Sequence, residues 1–112
     1  MEDSILKSIK GMLGILPDDD AFDDELVAHI NAAIAELTQI AVGPEEGYFI
    51  EDASNTWSEF TTNASVKSLA KQFIHCAVRL IFDPPSNSFT VDAMSKAKEE
   101  AYWRLYIMVN KE

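Results

Sequence analysis

Apolar residues recur with the 3.6-residue period of an α-helix in four separate segments of the chain. These segments span residues 4–13, 22–41, about 64–82 and about 90–110. The third has the most regular pattern, because charged and polar residues occupy the face opposite its apolar one. That apolar face consists of Val66, Leu69, Ala70, Phe73, Ile74, Ala77, Leu80 and Ile81. The pattern predicts an all-α fold, a small bundle of about four helices, in a single domain of residues 1–112.

Turn and capping residues separate the predicted helices. Gly14 and Pro17 are expected to end the first helix, and Gly43 and Pro44 the second. Acidic residues fill the connection between them, where they fit first as N-caps and then as first-turn residues favoured by the helix dipole. These residues, a candidate acidic surface, are Asp18, Asp19, Asp20, Asp23, Asp24 and Glu25.

The third helix is followed by a sharp stop. Asp83 precedes Pro84 and Pro85, and two consecutive prolines remove two backbone donors. Ser88 or Thr90 is expected to cap the last helix. Arg79 and Asp83 are spaced i, i+4, which is compatible either with a pair on one helix or with a contact between subunits.

Residues 44–62 form a long loop between the second and third helices, with aromatic residues among its acids. Loops of this length in small domains are more often functional than idle. Trp57 lies in this loop and has two interpretations: a core residue that fixes the loop, or a residue of an interface.

The end of the last helix is apolar around its whole circumference. Between Ala101 and Val109 the only charged residue is Arg104. A helix of this kind needs to be covered on all sides, and in so small a domain the additional cover is expected from another protein chain. The candidate interface residues here are Tyr102, Trp103, Tyr106, Ile107 and Met108.

The charge of the chain is unevenly distributed. The formal net charge is −10, and the first 60 residues carry 14 acidic and 2 basic residues, whereas the remaining 52 carry 5 and 7. An acidic chain argues against binding through nucleic-acid phosphates, which requires clustered Lys and Arg.

The single cysteine, Cys76, cannot form an intramolecular disulfide, and no apolar run approaches the length of a membrane span.

Residue patterns typical of catalysis or metal binding are missing from the sequence. No nucleophile, base and orienting acid can be assembled into a plausible set. His29 and Glu25 have a spacing compatible with a metal, but two ligands are weak support for a site. An EF-hand loop starting at Asp18 would need Gly and Glu where Asp23 and His29 stand. We therefore expect a protein that is not an enzyme and that needs no cofactor or metal.

Four parts of the sequence together resemble the small head-tail connector proteins, also called head-completion or adaptor proteins, of long-tailed bacteriophages and prophages. They are the first helix with its acidic turn at 18–20, the loop from Ile50 to Trp57, the segment from Arg79 to Phe89, and Tyr102 to Leu105. The resemblance covers about the whole chain. The final helix differs, because the chain continues with apolar residues 106–109 where similar sequences become more polar.

The resemblance implies a helical virion subunit at the head-tail junction, present in the host cytoplasm during assembly. Such subunits form rings of about twelve copies beneath the portal protein, extend the DNA channel and give the stopper or tail-completion protein a docking surface. DNA would pass through without specific binding, and no membrane is involved. A ring uses two different patches of each subunit, and the acidic and basic halves of the chain provide complementary ones.

The alternative function from another class is an acidic DNA mimic, or a regulatory protein that inhibits a basic partner. A net charge of −10 on a small helical body suits that function. The acids are concentrated at helix starts and in one loop, however, and do not follow the spacing of duplex phosphates.

Overall fold

A computed structural model describes residues 3–109, in which five helices account for most of the chain. They are α1 (Ile5–Leu13), α2 (Asp23–Gln39), α3 (Trp57–Phe60), α4 (Ala64–Phe82) and α5 (Ser88–Val109). The all-α prediction is confirmed, and this part of the chain has no strand beyond one isolated bridge between Ser4 and Thr56. The predicted extension of the last helix to residue 110 falls outside the described residues.

Helix α4 is the centre of the fold. It packs against α1, α2 and α5, and its contact with α5 is the most extensive. Phe73 and Ile74 are fully buried at this centre. One part of the predicted apolar face is wrong: Ile81 is 66% exposed, because α4 ends at Phe82 and none of residues 3–109 covers this side of its last turn.

The connection between α1 and α2 differs from the prediction. The carboxylates of residues 18–20 do not cap α2; Phe22, whose side chain cannot accept a hydrogen bond, occupies the N-cap position. The start of α2 is held instead by Lys10, whose Nζ lies 2.9 Å from Asp23 Oδ1 and donates to the carbonyl of Pro17 at 3.2 Å. Lys10 is only 2% exposed.

The predicted loop at 44–62 contains the short helix α3. Thr56 and Glu59 form a capping box at its start, in which each side chain accepts from the other residue's backbone N–H. The loop is fixed to α2 by Asn31, whose amide accepts from Ile50 N at 2.7 Å and donates to Ile50 O at 3.0 Å. It therefore has a defined path despite its length.

Trp57 is fully buried, and its Nε1 donates to Ser8 Oγ at 3.0 Å. Its backbone N–H donates to the carbonyl of Asp3 at 2.9 Å. Of the two interpretations of Trp57, the structure therefore supports the core residue. No surface of this side chain is left exposed for a partner.

As expected, α4 ends and α5 begins on either side of the two prolines, but the capping atoms differ from those predicted. Arg79 Nε donates to the backbone carbonyl of Asp83 at 3.1 Å, so this pair satisfies the end of α4 through the main chain. Asn87, in place of the predicted Ser88 or Thr90, caps α5, because its Oδ1 accepts from Thr90 N at 3.1 Å.

Candidate interaction surface

The C-terminal half of α5 rests on α4 through one narrow face. Ala101 and Leu105 are the fully buried residues of this helix. Tyr102 is half-buried, with its ring 5.8 Å from that of Phe73. Because only this face contacts α4, the other apolar side chains of the helix point away from the core.

Three of the predicted interface residues are exposed on the outer side of α5. Trp103 is 57% exposed, Tyr106 41% and Ile107 64%. The ring of Trp103 packs edge-on against Tyr102 and Tyr106, with centroid separations of 6.0 and 5.6 Å. These contacts arrange the aromatic side chains as one continuous surface.

An open groove of about 440 Å³ lies beside this surface, between α4 and α5. It is lined by Leu69, Arg104, Ile107 and Met108. Arg104 is oriented by an exposed ion pair with Glu100, at 2.9 Å between Nη2 and Oε2. The groove and the aromatic cluster form an apolar patch with a polar border, the composition typical of a protein interface. Arg79 and Asp83 lie at the other end of α4 and are not part of it.

The candidate acidic surface is exposed, except at Asp23. Asp18, Asp19, Asp20, Asp24 and Glu25 are open to solvent, while Asp23 is half-buried in its pair with Lys10. Phe22 and Phe82 pack edge to face, which places this surface at the end of the bundle where α4 finishes. The apolar patch lies at the opposite end of α4, beside Leu69. Phe82 and Leu69 are 13 residues apart, about 20 Å along a helix.

Two adjacent residues of α4 that suggest chemistry, the half-buried His75 and the buried Cys76, are poorly suited to it. Cys76 is buried, and this burial raises the pKa of its thiol, which keeps it in the less reactive protonated form. Burial, and secondarily the charge of Arg79, lowers the pKa of His75. His75 Nε2 has no hydrogen-bond partner within residues 3–109. The described residues contain no group of three or more potential metal ligands.

Sequence reasoning missed several features of the surface. Phe89 is 81% exposed and Phe49 is 62% exposed, and the apolar periodicity of the sequence does not indicate either exposure. Lys10 is buried, although a lysine is usually exposed to solvent. Its spacing of 13 residues from Asp23 crosses a turn, and periodicity within one helix contains no signal for such a contact.

The comparisons with known proteins settle the family. Residues 5–112 match the family described as phage connector protein. This chain belongs to the phage connector protein family. No curated protein and no solved structure matches it.

Membership in the connector family supplies the general function. Such a protein is a structural component of a phage, without an enzymatic role, that interacts with other head or tail proteins in the virion. This agrees with the expectation drawn from the sequence motifs. Within residues 3–109, no helix is both long and apolar enough to cross a membrane.

Proposed function

We propose that this connector protein is a ring-forming adaptor that docks beneath the portal, extends the DNA channel and presents an attachment surface to the stopper or tail-completion protein. The observation that carries the proposal is the exposed apolar patch at the end of α5, formed by Trp103, Tyr106 and Ile107. A connector needs such a surface, and the residue types Trp and Tyr are those enriched at interface cores.

The arrangement of the two surfaces supports assembly in a ring. The apolar patch and the acidic surface lie at opposite ends of α4 and share no residue. A contact between two different patches is heterologous, and it closes into a ring when the rotation between subunits allows it. The acidic residues 18–20 facing a channel would repel phosphate and leave DNA free to pass.

The experiment compares two variants in binding to the purified portal protein and in assembly. Tyr106→Ser combined with Ile107→Ser removes much of the patch, and since both residues are largely exposed the domain is expected to stay folded. Binding to the portal or to neighbouring subunits should be lost. Phe49→Ser is the matched control, because Phe49 is a similarly exposed apolar side chain that lies in the 44–62 loop and is not part of the apolar patch.

Two outcomes would contradict this proposal. One is a double variant that still completes heads and attaches tails in an infection assay. The other is a wild-type protein that binds no portal and instead binds a basic partner in a salt-sensitive manner, with binding lost in Asp19→Asn combined with Asp24→Asn. That second result is the one expected of an acidic inhibitor.

A further inference from the structure

Helix α5 has a second ordered face, opposite the one that contacts α4. Its members are spaced alternately by four and three residues, the a and d positions of a heptad repeat. They are Phe89, Ala93, Lys96, Glu100, Trp103 and Ile107, and all are exposed. We call these six residues the outer seam. A seam with large apolar side chains at both ends has the pattern of a helix that pairs with another helix.

The outer seam is complementary to itself when two copies run antiparallel. Antiparallel pairing places each a position opposite a d position of the other helix. With the two-fold axis midway between Lys96 and Glu100, Phe89 of one copy meets Ile107 of the second. Ala93 then meets Trp103, a small residue facing a large one, and Lys96 meets Glu100, a cation facing an anion.

We propose that the outer seam of α5 binds the outer seam of a second copy of this chain, antiparallel, to form a two-fold dimer of the unassembled protein. The charges of the seam favour a second copy of this chain as the partner, and they favour its antiparallel orientation. Parallel pairing would place Lys96 against Lys96 and Glu100 against Glu100, whereas antiparallel pairing creates two opposite-charge contacts at the centre. Polar residues at a seam position commonly fix the register of paired helices in this way.

The small exposed area of the seam indicates a reversible dimer. It extends over 19 residues, about 27 Å along the helix. The exposed parts of Phe89 and Trp103 supply roughly 300 Å² per copy, against about 800 Å² per partner in stable interfaces of standard size. The exposed Glu99 side chains of the two copies also face each other at the rim and oppose association. The dimer is therefore expected to dissociate on dilution.

Dimerisation has a consequence for assembly. Trp103 and Ile107 belong both to the outer seam and to the apolar patch assigned above to the connector interface. The dimer covers this patch, so subunits must separate before they enter a ring. This consequence rests on the proposed function, but the pairing of the two seams does not.

The test is sedimentation equilibrium of the purified full chain, without portal, over a range of concentrations. Wild type should show a monomer–dimer equilibrium. Lys96→Glu alone and Glu100→Lys alone each create two like-charge contacts and should raise the dimer dissociation constant at least tenfold. The double exchange, Lys96→Glu with Glu100→Lys, restores opposite charges and should restore the dimer. An equimolar mixture of the two single variants should form a heterodimer, and Glu99→Gln should tighten the wild-type dimer.

A wild type that stays monomeric up to about 1 mM, or single variants that dimerise like wild type, would refute the seam pairing. A closed ring without any dimer would also refute it. None of these results affects the proposed connector role, which depends on portal binding. Conversely, a dimer that behaves as described, together with a portal that ignores Tyr106→Ser and Ile107→Ser, would leave the seam pairing intact and remove the proposed function.

Discussion

The Lys10–Asp23 pair offers a prediction in which burial determines which partner is more costly to remove. The two side chains are 2.9 Å apart, and their exposed fractions are 2% for Lys10 and 30% for Asp23. Asp23→Asn leaves the ammonium group of Lys10 buried with the carbonyl of Pro17 as its remaining contact. Removing one partner of a buried pair costs about 3–5 kcal/mol. Because the carbonyl contact persists, we expect about 3 kcal/mol here.

The reverse change should cost much less. Lys10→Met keeps the buried apolar stem and leaves the Asp23 carboxylate without its cation. That carboxylate is partly hydrated and lies in the first turn of α2, where the helix dipole stabilises a negative charge by about 0.3–1 kcal/mol. We therefore expect a loss of about 1 kcal/mol. Once Lys10 is absent, Asp23→Asn should add little, so the two changes should couple by about 3 kcal/mol.

Urea unfolding followed by far-ultraviolet circular dichroism measures all four proteins of this cycle. Lys7→Met, at an exposed position of the same helix, serves as the control and should fall within about 0.5 kcal/mol of wild type. Equal losses for the two single variants would refute the argument from burial. So would losses that add within about 0.5 kcal/mol, because independent sites behave in that way.

Three further predictions concern the core and the loop. Phe73→Ala should lower the free energy of unfolding by about 3–5 kcal/mol, because Phe73 is 1% exposed in the centre of α4. Gln72→Ala, at the exposed neighbouring position, should change the free energy of unfolding by less than about 0.5 kcal/mol. Similar urea midpoints for the two variants would contradict this assignment of the faces of α4. Asn31→Leu should cost about 2–3 kcal/mol and speed amide exchange at Ile50, because it removes both hydrogen bonds between Asn31 and Ile50. Unchanged exchange would show that these two bonds do not protect the backbone of Ile50. Burial, followed by the hydrogen bond to Glu59, raises the pKa of Tyr48 to about 12. The stability that the protonated Tyr48 side chain contributes is therefore complete below pH 10 and is lost between pH 10 and about 12. An ultraviolet titration in which all three tyrosines ionise near pH 10 would exclude this environment.

Periodicity predicted α4 well, from Ala64 to Phe82, because a long amphipathic helix with a proline stop carries its signal within one stretch of sequence. The capping of α2 was less predictable. Acidic residues at 18–20 suit a cap, but the contact between Lys10 and Asp23 fixes where the helix begins, and that contact joins two elements.

The candidate site could be predicted in part, for the same reason. The excess of apolar residues after Ala101 indicated an uncovered surface, because one helix in a small domain cannot bury its whole circumference. The sequence alone did not show which of the two interpretations of Trp57 was correct. Its burial depends on a partner 49 residues away, Ser8, and on the pairing of the chain start with Thr56.

The attachment of α5 mainly to α4 also determines how firmly the C-terminal helix is held to the rest of the domain. Helices α1, α2 and α4 enclose most of the core, while α5 contributes full burial at Ala101 and Leu105. The contact between α5 and α4 is nevertheless the most extensive between any two helices, so detaching α5 would expose one whole face of α4 to water. The C-terminal helix is therefore held by the same core as the rest of the domain, and the apolar patch stands on a support that is in place before any partner binds.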